Sequence, residues 1–83
     1  MNKTIYTRQA ELLRETLVEM RRKAGLTQRE LAAKLGRERN FVGRLELGER
    51  RLDVVEFFWV CKACGANPAV VAQGLVRDFE TLT

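Results

Sequence analysis

Four glycines, Gly25, Gly36, Gly48 and Gly65, cut this chain into short stretches in which apolar residues recur every three or four positions. That spacing is the period of an amphipathic helix, and no stretch alternates as a half-buried strand does. Over residues 7–24, Leu13, Leu17, Met20 and Ala24 form one stripe, with Thr4 or Thr7 as its cap. Gly25 ends that helix behind the cations "RRK", which suit the negative end of a helix dipole. Thr27 followed by Glu30 is a capping box opening a second helix, with Leu31, Ala32 and Leu35 inward and Gly36 as its stop. A third runs from about Glu38 to Leu47, with Val42 and Leu45 inward. Asp53 caps a fourth, "VVEFFWVCKAC", which ends at Gly65. Asn67 and Pro68 supply a cap and a first-position proline for a fifth, to about Phe79. The expectation is an all-α, compact five-helix bundle forming one domain over residues 1–83.

Composition narrows the function. With no His and no Ser, the chain has no Ser–His or Cys–His nucleophile pair, no histidine base and no histidine metal site. "CKAC" places Cys61 and Cys64 on one face of an apolar helix. A single CxxC cannot supply four zinc ligands, and a redox CxxC is expected beside a βαβ pattern, so the two read as reduced core cysteines. "GRLELGER" has glycines at Walker-like spacing, but Glu49 and Arg50 stand where a P-loop needs Lys-Ser/Thr. These absences point away from an enzyme and from any metal or cofactor. No apolar run approaches the roughly 20 residues of a membrane span, and "MNKTIYTRQAELLRE" lacks a signal peptide's apolar segment, so a soluble cytoplasmic protein is expected.

The charge is uneven. Residues 1–52 carry 13 Lys/Arg against 7 Asp/Glu, a net of +6, and residues 53–83 carry 2 against 4, a net of −2. A basic front and mildly acidic back suggest one surface that meets a polyanion. Residues 27–47 describe two short helices joined by a glycine-containing turn, which is a helix-turn-helix. In that motif the second helix lies in the DNA major groove and the first crosses the phosphate backbone. On a helical wheel, Val42 and Leu45 mark the buried side, while Arg39, Asn40, Gly43 and Arg44 lie near the opposite one. Arg reads guanine O6 and N7 with two prongs, and Asn does the same at adenine N6 and N7. Gly43 inside this helix costs about 1 kcal/mol relative to alanine. Two readings stand level: it lets the helix settle closer to the groove floor, or it is tolerated on a solvated polar face.

The stretch "GLTQRELAAKLGRERNFVGRLELGERR" resembles the lambda-repressor and Cro-like (XRE) helix-turn-helix family, whose pattern is close to LTQ-x-ELA-x-x-x-G followed by a helix ending in I/L-E-x-G. The likeness is tight from Leu26 to Gly48 and extends over roughly residues 10–75. It implies a sequence-specific binder of double-stranded DNA, with Arg39, Asn40, Gly43 and Arg44 facing the bases. It also implies phosphate contacts near Thr27 and Gln28, Gln28 bracing the third helix, and a buried salt bridge between Arg21 and Glu46. Leu47 departs from the family's usual Asn and loses a side-chain hydrogen bond. Glu49 stands where Lys or Arg is frequent, and Arg50 and Arg51 supply that charge for phosphates. Glu38 replaces a small capping hydroxyl. Phe41 is expected to pack on the domain's edge rather than touch a thymine methyl.

On the fourth helix, Val54, Phe57, Phe58, Val60, Cys61 and Cys64 crowd one broad side, and Val55 and Trp59 lie on the other with Lys62. Exposed Trp is enriched at interface hot spots. With Val71, Leu75 and Phe79 of the fifth helix, these residues suggest a homodimer that sets two third helices about 34 Å apart on a palindromic operator. The expected function is a transcriptional regulator, in form an autoregulatory repressor or controller of bacterial or phage origin, without room for a ligand-sensing domain. The alternative is an antitoxin or other protein-interaction module whose partner is a second small protein and whose DNA binding is secondary.

Overall fold

The computed structural model describes the backbone of residues 3–83 and the side chains of residues 7–83. Five helices follow one another: α1 (Lys3–Lys23), α2 (Gln28–Lys34), α3 (Phe41–Leu47), α4 (Val54–Ala63) and α5 (Pro68–Glu80). The caps expected from sequence are in place. Thr27 Oγ1 accepts the Glu30 amide at 3.1 Å while the Thr27 amide donates to Glu30 Oε1 at 2.8 Å. Asp53 and Glu56 repeat that reciprocal arrangement at the start of α4, at 2.7 and 3.0 Å. Asn67 Oδ1 accepts from the Ala69 amide, one step ahead of Pro68.

Two helix starts differ from expectation. α1 begins at Lys3 rather than near residue 7, so Thr7 lies inside it and not at its start; the Thr4 side chain lies outside the described residues. "KTIYTRQA" contains no Gly or Pro, and an existing helix extends at the gain of one hydrogen bond per residue. α3 begins at Phe41, three positions late, because Glu38 to Asn40 form a separate turn closed by the Phe41 amide on the Glu38 carbonyl at 3.1 Å. That turn swings the Phe41 ring inward.

The core is a contiguous cluster of Leu17, Leu31, Ala32, Phe41, Val42, Leu45 and Val60, so α1, α2, α3 and α4 all contribute to it. Phe41 packs, but within the core and not on the domain's edge, and Arg37 and Arg50 lie over its ring at 4.1 and 4.7 Å from the centroid. Both arginines turn their remaining donors to one carboxylate. Arg50 grips Glu56 with two bonds of 2.9 and 2.7 Å, and Arg37 adds a third at 3.0 Å. This arrangement ties the start of α3 to the start of α4.

The ion pair implied by the family resemblance also forms. Arg21 Nε donates to Glu46 Oε2 at 2.7 Å and Arg21 Nη2 to Oε1 at 3.1 Å, with both side chains mostly buried. Its Nη1 donates to the Leu26 carbonyl at 2.9 Å. These bonds raise the Arg21 pKa above its ordinary value, the Glu46 hydrogen bond being the main cause. Loss of one partner from a buried pair costs about 3–5 kcal/mol because the other charge is stranded.

The apolar residues of α4 and α5 are sorted differently from expectation. Val60 and Cys61 are buried and Phe57 and Cys64 partly so, a narrow i, i+3, i+4, i+7 strip, whereas Val54 is 79% and Phe58 42% exposed. α4 packs against α2 and α5, and a helix covered on so narrow a strip leaves its other apolar residues in solvent. Leu75, expected at a dimer interface, is buried inside the monomer, and Val71 and Phe79 are partly buried. Ala24 lies past the end of α1 and is exposed.

The Glu56 carboxyl is held at about 2, below its ordinary 4.5, first by the Arg50 hydrogen bond and then by the Asp53 amide. Because the folded-state value lies below the unfolded one, its stabilisation is complete above about pH 5 and is lost as pH falls from 4.5 towards 2. Glu56→Gln is therefore expected to destabilise the fold at pH 7 by an amount of order 1–3 kcal/mol for a hydrogen-bonded charge, seen as a lower urea midpoint. It is also expected to flatten the loss of stability between pH 5 and pH 2, read from urea midpoints across that range.

Candidate nucleic-acid interface

The turn from Leu35 to Asn40 joins α2 to α3, with Gly36 in the left-handed region at φ +66. Gln28, the first residue of α2, donates from Nε2 to Glu46 Oε1 at 2.8 Å. Glu46 thus takes donors from both α1 and α2, and α3 is held in angle and in height. The same glutamine accounts for Gly43. A Cβ on Gly43 would stand 3.3 Å from Gln28 Oε1, tighter than an ordinary contact. The glycine makes room for the brace that holds its own helix, a role that neither sequence reading contained.

Beyond the brace lies the outward face. Arg39 and Asn40 are exposed, and they sit on the turn that enters α3, not on the helix itself. Asn40 is the N-cap residue yet makes no side-chain cap bond, so its carboxamide is left for other partners. Gly43 is half-buried and Arg44 exposed. Arg44 has one loose contact, 3.7 Å to Glu38 Oε1, and surface pairs of this kind contribute about 0–1 kcal/mol. Its guanidinium is therefore only weakly held. The structure brings Asn40, Gly43 and Arg44 to one side, with Arg39 just ahead of them.

Leu47, 73% exposed, lies on that same side, at i+7 from Asn40 and i+4 from Gly43. Sequence marks Leu47 as a departure from the family's Asn, and its place on this outward side comes from the structure. Gly48 ends α3 at φ +80, with its amide and that of Glu49 bonded to carbonyls of Leu45 and Arg44.

The expected phosphate contacts fare unevenly. Thr27 and Gln28 stand exposed at the start of α2, where the capping box occupies the Thr27 and Glu30 amides and the positive end of the helix attracts anions. Arg51 is exposed and, among the described residues, its side chain has no ion pair. Arg50 is a correction. Its guanidinium is bound to Glu56 and the Arg51 carbonyl and stacked on Phe41, so it supports the fold instead of offering a free charge.

The second surface is apolar. Val54, Val55, Phe58 and Trp59 form an exposed stripe on α4, with Trp59 at 57% and packed edge-on to Phe58 at 5.0 Å between centroids. The cysteines face the other way. Burial pushes the Cys61 thiol up to about 11 and also raises Cys64, so neither is a thiolate at neutral pH. Among the described residues no group of three His, Cys, Asp or Glu could hold a metal, and no helix is long and apolar enough to cross a membrane.

A helix-turn-helix domain profile matches residues 12–73. Among solved structures, an XRE-family like protein from Pseudomonas syringae pv. tomato str. DC3000 is similar, with 44% identity and a TM-score of 0.85 over 90% of this chain and 92% of that one. No curated protein matches. With the matched segment spanning all of α2, α3 and α4, the chain belongs to the XRE family of helix-turn-helix DNA-binding domains.

Proposed function

We propose that this protein is a sequence-specific transcriptional regulator that reads its operator with Arg39, Asn40 and Arg44, while Thr27, Gln28 and Arg51 meet phosphates. The observation that carries this reading is the outward face of α3. It combines donors suited to guanine and adenine with a backbone held from two sides through Glu46. Affinity comes chiefly from phosphate neutralisation and specificity from the base-facing side chains. Regulation in this reading is autoregulatory repression in a bacterial cytoplasm, set by protein concentration and dimerisation.

The exposed stripe on α4 supports a homodimer on a palindromic operator. Its centre is Val55 and Trp59, joined by Val54 and Phe58, and apolar area of this kind on a small domain marks a contact surface. The same stripe supports a second reading, in which its occupant is a different small protein, as in an antitoxin. Co-purification of a stoichiometric partner favours that alternative.

Fluorescence anisotropy with DNA from upstream of the protein's own gene, against scrambled DNA, tests the main reading. A hundredfold preference that survives added salt is the expected result; equal, salt-sensitive binding of both contradicts it. Arg44→Ala is expected to lose about 1–3 kcal/mol of discrimination at one base pair, as for a good bidentate contact. Equal loss on specific and scrambled DNA would remove Arg44 from the reading set. Sedimentation is expected to show a dimer at tens of micromolar that Trp59→Ala shifts towards monomer, whereas a wild-type monomer with and without DNA contradicts the dimer.

A further inference from the structure

On its own stretch of chain the far end of α3 has a single unpaired cation among the described residues, Arg51. Leu47 has no donor, Glu49 has the wrong sign for a phosphate, and Arg50 is held by Glu56. A helix lying in the major groove must nevertheless pass the sugar-phosphate backbone where it leaves. One cation from another element is placed there. The Arg14 guanidinium of α1 lies across the end of α3, so close that a Cβ on Gly48 would stand 3.1 Å from Nη1 and 3.2 Å from Cζ and Nε. The glycine that ends α3 also clears the space for this side chain.

Arg14 has no ion pair among the described residues. The carboxylates nearest to it along α1 are engaged elsewhere: Glu11 and Glu15 both bind Arg8, each at 3.1 Å. Arg14 and Arg51 line one groove of about 430 Å³ between α1 and the α3–α4 connection, and no Asp or Glu lines it. Arg50 lines the same groove but is bound to Glu56, and Arg14 also borders a second groove with Glu11, Glu15, Glu19 and Glu46. Within the first groove Arg14 and Arg51 are the two guanidinium groups without an ion pair among the described residues, and together they suit an anion with several acceptor oxygens. Its position relative to α3 is set by the same helix, because Arg21, two turns further along α1, is bonded to Glu46.

We propose that Arg14 of α1, with Arg51, binds a DNA phosphate at the C-terminal end of α3. The inference rests on the DNA-binding reading above. A contact of this kind sets the register of the protein on the duplex and carries no sequence information of its own. It would supply the charge that Leu47 and Glu49 withhold.

The test is the salt dependence of binding for wild type, Arg14→Gln and Arg14→Lys, each on operator and scrambled duplex, with the thermal midpoint of each variant measured alongside. For one lost phosphate contact the slope of log K against log [salt] is expected to shrink by about 0.9. Both duplexes are expected to weaken by the same factor, Arg14→Lys to regain the slope, and Arg77→Gln on α5 to match wild type. An Arg14→Gln slope equal to wild type, with wild type binding DNA, overturns this proposal and leaves the parent reading standing. A loss confined to operator DNA also overturns it, since that would make Arg14 a base reader. A wild-type protein that binds neither duplex overturns both.

Discussion

One carboxylate governs the orientation of α3. Glu46 on α3 takes two bonds from Arg21 on α1 and one from Gln28 on α2, at 2.7, 3.1 and 2.8 Å. A buried ion pair is weak evidence for net stability, since well-packed apolar residues in its place are often no worse. What an apolar replacement would lack is direction. Hydrogen bonds from two helices fix α3 in rotation as well as in distance, and a base-reading surface needs its side chains held to within a fraction of an ångström. Gly43 belongs to the same arrangement, because a Cβ there would crowd the Gln28 carboxamide that reaches Glu46.

The elements of the fold were largely legible because their boundaries are written in local chemistry. Thr27–Glu30, Asp53 and Asn67–Pro68 mark starts, and glycines able to adopt positive φ mark the ends. The start of α3 was not legible, because Glu38, Arg39 and Asn40 are compatible with both a turn and a first helical turn. Only the burial of the Phe41 ring beneath Arg37 and Arg50 decides between them, and those partners lie four positions before it and nine after. The outward face of α4 was misjudged for a related reason. Periodicity gives the direction of an apolar residue but not the width of the surface that covers it, and Val54 and Phe58 fall outside that width.

Charge shows the same limit. The surplus of cations in residues 1–52 suggested a polyanion, yet several of those cations serve the fold. Arg8, Arg21, Arg37 and Arg50 are all ion-paired, and the last two share Glu56. Arg39, Arg44 and Arg51 are exposed, the first and last without a salt bridge among the described residues and Arg44 with a loose one. Sequence can count arginines, but which of them remain available depends on where the carboxylates arrive. Arg50 and Arg51 are adjacent in the chain and have opposite fates.

In the proposed function, α3 and the start of α2 form the DNA face. The most direct measurement is an NMR titration of the labelled protein with a short mixed-sequence duplex at low salt, following every backbone amide. The largest shifts are expected at Thr27, Gln28 and Arg39 to Arg44, with Val54 to Lys62 unmoved. Shifts centred on Val55 and Trp59 with α3 silent would contradict it, and would make the apolar stripe of α4 the principal working surface.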